Sequence, residues 1–175
     1  MALVKGRSLG LNLADTFNFT GTLQQNGGAI AGGKLLQVVS AKDTTARTTN
    51  STSYVTGSNT LSVNITPSSS SNKILILTSY QHFGVASQAN CRSTVFRTIG
   101  GSATDLATVR LGQDYNGHTI SVSSAYEDSP STTSQCTYQV YFKSGSGSHT
   151  VRLNAPDGSD TVDGSIVAME ISSWL

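Results

Sequence analysis

The steepest apolar signal in the chain lies at residues 73–80, where Ile74, Leu75, Ile76 and Leu77 put a large aliphatic group at every position. Successive side chains on a strand point to opposite faces. Ile74 and Ile76 therefore face one way, and Leu75 and Leu77 the other. A strand of a two-layer sandwich needs only one apolar face, so this run predicts a strand covered on both. The second cover could be a packed loop, the chain's own N-terminal segment or a neighbouring subunit. A buried helical turn would give the same four residues, but the serine-rich linker at 67–72 and the β-branched content favour a strand. The run is far too short to span a bilayer.

From Lys34 onward the pattern is a series of short strands parted by turn residues. Residues 35–40 are apolar, 43–53 form a hydroxyl-rich, poorly patterned loop, and 54–56 make a short strand. Leu61, Val63 and Ile65 alternate with Ser62, Asn64 and Thr66 until Pro67 stops the strand. Residues 91–99 end at the Gly100–Gly101 turn, 103–111 can form a strand, and in 119–126 Ile120 and Val122 share a face. In the C-terminal third Cys136, Tyr138, Val140 and Phe142 lie opposite Thr137, Gln139, Tyr141 and Lys143. A Ser/Gly stretch at 144–148 then reads as a hairpin loop leading to Val151 and Leu153, and Asp157–Gly158 and Asp163–Gly164 as further turns. Val167, Met169 and Ile171 oppose Ile166, Ala168 and Glu170, and the chain stops at Trp174 and Leu175. An end this apolar predicts a last strand tucked into a core or an interface. The pattern predicts eight or nine strands and no sustained helix. The expected fold is all-β: an antiparallel β-sandwich of jelly-roll type with an extended N-terminal arm.

The arm is residues 1–33. Leu9, Leu11 and Leu13 alternate with small and polar residues, Phe17 and Phe19 repeat the pattern, and a glycine-rich hinge follows at 27–33. The segment is too small for a core of its own. It reads as an anchor that pairs with another chain or with the head domain, residues 34–175; ordinary first strands are the alternative.

Composition narrows the function. Only 12% of residues are charged, against about 25% in most globular proteins, and Ser and Thr fill the solvent faces instead, as in β-rich extracellular or virion proteins. A net charge of +1 without a basic stripe gives no footprint for nucleic acid. The N-terminal residues lack a signal-peptide core, so a route out of the cell by lysis is expected. Cys91 and Cys136 read as a disulfide between neighbouring strands or, preferably, as two buried thiols.

Candidate chemistry is sparse. His82, His118 and His149 are isolated in sequence, and the acids at 157–163 are spaced three apart rather than as in a calcium loop, so no metal or cofactor is expected. No nucleophile elbow, P-loop or dinucleotide fingerprint occurs. The only glutamates are Glu127 and Glu170, which leaves a paired-carboxylate glycosidase to be built from aspartates. Three glycosylation sequons, at Asn18, Asn50 and Asn64, are expected by chance in so Ser/Thr-rich a chain. No catalytic residue is expected. His82 and Phe83, after the central run, and Tyr115, Asn116 and His118, on a polar loop, have the residue types that stack on sugars and read their hydroxyls. They are candidate receptor loops, and packing over a sheet end is the plainer reading.

Two segments, Gly33-Lys-Leu-Leu-Gln-Val-Val-Ser-Ala-Lys42 and Leu61-Ser-Val-Asn-Ile-Thr-Pro-Ser-Ser-Ser-Ser-Asn-Lys-Ile-Leu-Ile76, resemble a group of tailed-phage virion proteins frequent among phages of cyanobacteria and other aquatic bacteria. The ending Ile166-Val-Ala-Met-Glu-Ile171 is similar to theirs too. The resemblance covers roughly residues 33–80 and 164–172 and leaves the middle unmatched. It implies a trimeric β-sandwich head, a tail-fibre or other structural role, and no catalytic residues. The expectation is therefore a virion protein assembled in the host cytoplasm. A short tail fibre would dock through Leu9, Leu11, Leu13, Phe17 and Phe19 to other phage structural proteins. It would trimerise through Leu75, Leu77, Ile166 and Trp174 and present loops to a host-surface glycan, without nucleic acid or membrane insertion. A capsid decoration (cement) trimer is the alternative; a polysaccharide depolymerase or a lectin module fits less well.

Overall fold

The computed structural model describes residues 24–25, 28–29, 34–85, 90–106, 110–113, 119–154 and 162–172. The chain divides into two units. In the first, Met1–Gly32 with Leu175, β1 (Gln24–Gln25) pairs antiparallel with β2 (Gly28–Ala29). The second, Gly33–Trp174, carries β3 (Leu35–Asp43), β4 (Arg47–Thr49), β5 (Ser62–Ile65), β6 (Lys73–Gly84), β7 (Asn90–Ile99), β8 (Ser102–Asp105), β9 (Arg110–Gln113), β10 (Thr119–Asp128), β11 (Cys136–Ser144), β12 (Val151–Leu153) and β13 (Gly164–Ile171).

These strands follow eight tracks, because β12 and β13 are two pieces laid along one edge of β6, β8 and β9 two pieces along β7, and β4 and β3 continue that arrangement beside β12 and β13. The tracks nest. The first (β3/β4) pairs with the last (β12/β13), β5 with β11, β6 with β10, and β7 with β8/β9, all antiparallel. Such a folded-over ribbon is a jelly roll once β13 and β12 also pair with β6, and β11 with β7. One sheet then runs β3/β4, β13/β12, β6, β10, and the other β5, β11, β7, β8/β9. The fold is the all-β sandwich that the alternation predicts.

Alternation places the core. The inward residues of β6 (Ile74, Ile76, Thr78, Tyr80, His82) meet those of β11 (Cys136, Tyr138, Val140, Phe142), and all nine are buried. Tyr138, Phe142, Leu61, Ile65, Leu153 and Ile166 are among the largest fully buried side chains. Each fully buried aliphatic or aromatic side chain contributes about 1.5–3 kcal/mol, so this layer drives the fold. The β7–β8 turn is made by Gly100 and Gly101 at φ of 56° and 83°. Two left-handed residues in succession match the strand twist, and only glycine takes both cheaply.

Three expectations are corrected here. The Ser/Gly stretch at 144–148 closes no hairpin, since β11 and β12 belong to different sheets and the loop crosses the sandwich. Likewise β12 and β13 lie in series along β6 and do not pair with each other, so no hairpin joins them; the turn expected at Asp157–Gly158 lies outside the described residues. Period-two patterning tells which face a residue takes and is silent about which strand lies alongside. Part of the loop expected at 43–53 is strand β4. Both cysteines are buried, and neither is part of a disulfide. Cys91 stands opposite Ser144 and Cys136 opposite Ile99, at the two ends of the β7–β11 ladder. That is roughly 26 Å at strand rise, far beyond disulfide reach.

Candidate functional site

The outward side of the β3/β13/β6/β10 sheet is the most unusual surface of the head. Cross-strand register builds it row by row. Val38, Met169 and Leu75 stand side by side and end at Glu127. In the next row are Ser40, Val167, Leu77 and Ala125. Below them Ile171 lies between Leu35 and Lys73, and a register shift between Glu170 and Ile171 leaves Leu36 as an extra residue on the edge strand. Leu35, Leu36 and Val38 are 58%, 42% and 51% exposed, while Leu75, Leu77, Val167, Met169 and Ile171 are half-buried. A polar rim surrounds the patch. The row Lys42, Ser165, Ser79, Ser123 closes one side, and the Lys73–Glu127 ion pair closes the corner on β10. An exposed apolar patch with a polar rim is the ordinary signature of an interaction surface.

The sequence-predicted residues sort unevenly. Leu75 and Leu77 lie in the middle of this face. Ile166, expected at an interface, does not: it points inward, fully buried in the core with Ala168, because residues one apart on β13 take opposite faces. His82 is not on a receptor loop. It sits inside β6 with no exposed surface, because β6 runs seven residues past Leu77, to Gly84. Phe83, next along β6, faces outward and half-buried, with the Arg152 guanidinium 5.7 Å from its ring centre. Leu9, Leu11, Leu13, Phe17, Phe19, Tyr115, Asn116, His118 and Trp174 lie outside the described residues. Leu35, Leu36, Val38, Val167, Met169 and Ile171 join the face without having been singled out. Their alternation is visible in sequence, but their adjacency needs the strand order.

Buried polar groups fasten the loops that frame this face. The Glu170 carboxylate, 1% exposed, accepts hydrogen bonds from Gln37 Nε2 (2.6 Å), Asn72 Nδ2 (2.6 Å), and the Ser68 hydroxyl and amide (2.7 Å each), tying the β5–β6 linker to β13. Burial alone would raise its pKa; the Gln37, Asn72 and Ser68 donors outweigh burial and lower it. Asp43 repeats the arrangement at the far end of β3. It accepts from Thr45 N, Thr60 N and the Arg47 guanidinium, and these donors likewise outweigh burial and lower its pKa.

Between the sheets the Ser93 hydroxyl lies 2.7 Å from Tyr80 OH and 2.9 Å from His82 Nε2, while His82 Nδ1 has no partner among the described residues. Serine and histidine at this distance resemble a nucleophile and its base, but all three side chains are sealed in the core and no substrate reaches them. Burial holds the His82 pKa down, to about 4. The unfolded chain, with an ordinary value near 6.5, therefore binds a proton that the folded chain refuses. Stability is complete above pH 6.5 and falls as the pH drops toward 4, by about 3 kcal/mol from this one group. Asp43 and Glu170, with lowered values, remove more stability below about pH 4.5, in the same direction. Urea midpoints recorded from pH 7 to pH 4.5 should decline, and His82→Gln should flatten the decline.

Among the described residues no group of three His, Cys, Asp or Glu side chains is placed to hold a metal ion. No protein-family model and no curated protein matches the chain. One solved structure that is similar in part is that of the infectious bursal disease virus Gx strain, at 12% identity and a TM-score of 0.33, covering 90% of this chain and 44% of that one. This chain thus spans less than half the length of that neighbour, and a likeness so weak says nothing about what the chain does.

Proposed function

We propose that the chain is a structural protein of a phage virion, a short tail fibre or the distal module of one, whose jelly-roll heads associate as a homotrimer. The observation that carries this reading is the rimmed apolar face around Leu75 and Leu77. A head with a complete core of its own still leaves Leu35, Leu36 and Val38 largely in water, and a second copy laid on that face removes them from it. The resemblance of residues 33–80 and 164–172 to phage virion proteins supplies the setting and the threefold number. In this reading residues 1–33 dock the trimer to other virion proteins, the heads project, and function is binding rather than catalysis. Several weak contacts per trimer add through avidity on a repetitive host surface.

Gold-labelled antibody against the chain, applied to phage particles that carry it, tests the assignment. Label confined to the tail is the expected result. Label spread over the capsid would convert the reading to a decoration trimer built on the same face, and particles without label would end the virion reading.

A further inference from the structure

The opposite outer face, on the β5/β11/β7/β8 sheet, carries a second and chemically different patch. Phe96 of β7 packs against Tyr141 of β11 with ring centres 4.3 Å apart, and Tyr54 meets Phe96 edge-on at 6.0 Å. All three rings are half-buried, so part of each remains open to solvent. Three aromatic side chains gathered on the outward side of a sheet, where Ser and Thr are the rule in this chain, call for a reason beyond the core.

The charges beside them give the second observation. Arg92 and Lys143 stand directly opposite each other across the β7–β11 ladder, on the outward side. Like charges in that position repel and weaken the ladder. Neither is part of an ion pair among the described residues. Lys143 Nζ rests 4.5 Å from the Tyr54 ring centre, so the ring partly steadies the charge without neutralising it. At the other end of the patch Asp105, opposite Phe96, accepts a hydrogen bond of 2.7 Å from the Thr94 hydroxyl. Phe96 lies four positions along β7 from Arg92, roughly 13 Å of strand. The patch is therefore a short aromatic floor with a cation pair that no described carboxylate neutralises at one end and a carboxylate acceptor at the other.

We propose that this patch binds an acidic polysaccharide, a chain of pyranose units bearing carboxylates. A uronate carboxylate completes the Arg92–Lys143 pair, the apolar faces of the sugar rings lie on Tyr141 and Phe96, and Asp105 accepts from sugar hydroxyls. Single-stranded nucleic acid also stacks on aromatic rings, but it needs a cationic groove that tracks several phosphates, and here two cations end where a carboxylate begins. The inference rests on the proposed host-surface role only for its biological setting. The patch lies on the sheet face turned away from Leu75 and Leu77, so it stays open when that face is covered.

The test uses the full chain and oligomers of galacturonic acid, with binding followed by calorimetry at low salt. Binding is expected, and it should weaken at least tenfold in Arg92→Ala and in Arg92→Ala/Lys143→Ala, where exposed or half-exposed side chains are shortened without touching the core. Tyr141→Ala should weaken it similarly, and the carboxyl-reduced oligomer should not bind. The proposal is overturned by no binding, by binding indifferent to Arg92→Ala, or by sulfated dextran or oligothymidylate binding as tightly as the uronate and independently of Tyr141. Sedimentation of the same samples separates the two ideas. A trimer that ignores uronate loses this proposal and keeps the structural reading, and a monomer that binds it does the reverse.

Discussion

Asp128→Ala is expected to be the most damaging single change in the head. Asp128 ends β10 on the inward side, where both carboxylate oxygens lie 2.9 Å from Arg97 Nη1 and one accepts the Tyr138 hydroxyl at 2.6 Å. The side chains of Arg97 and Asp128 are 18% and 7% exposed, and Tyr138 is fully buried. Burial first, then the bond to Asp128 and its negative charge, push the Tyr138 phenol far above its ordinary pKa, so it remains a donor at any pH the protein survives. Removing the carboxylate strands a buried guanidinium and a phenol together. Breaking a buried ion pair from one side costs about 3–5 kcal/mol, and in a domain of this size Tm should fall by roughly 10 °C. Because the damage is the orphaned charge and not the lost attraction, Asp128→Ala combined with Arg97→Leu should recover much of the loss. Melting curves of the three proteins check this, and a double variant no better than the single one would contradict it.

Leu77→Glu should have the second large effect, on association instead of folding. Leu77 points out of the sheet between Val167 and Ala125. In a lone head a glutamate there reaches water, and the fold should lose no more than about 1 kcal/mol. In the assembly each copy would bury an unpaired carboxylate at the middle of the contact, costing roughly 2–4 kcal/mol per copy. The variant should therefore elute as a folded protomer while Ser102→Glu, an exposed change on the other sheet, leaves the assembly intact. Size-exclusion chromatography with light scattering distinguishes the two.

How far the sequence reveals this molecule depends on the kind of question. Faces were legible, because a period of two is imposed by the backbone: Ile74 and Ile76 in, Leu75 and Leu77 out, Cys136 to Phe142 in. Partners were not. Nothing local in 144–148 says that the chain crosses to the other sheet, since a hairpin loop and a crossing loop use the same Ser and Gly. Nor was the role of Glu170 legible, because its donors come from residues 37, 68 and 72 and meet only when β3, β13 and the β5–β6 linker are assembled. His82 was misplaced for a related reason. The apolar run ends at Leu77, whereas β6 continues to Gly84, and its inward positions there carry Thr78, which meets Ser124 of the adjacent strand, and Tyr80 and His82, which meet Ser93 across the core. Of the candidate site, the two leucines at its centre were visible, and the six neighbours that turn them into a surface needed the order of strands.

Sedimentation equilibrium of the unmodified chain at micromolar concentration, in low and in high salt, tests the central claim most directly. An apolar contact around Leu75 and Leu77 predicts a particle of three times the 18.3 kDa chain mass that persists in high salt, since hydrophobic association is not screened. A well-behaved single chain at that concentration would contradict it.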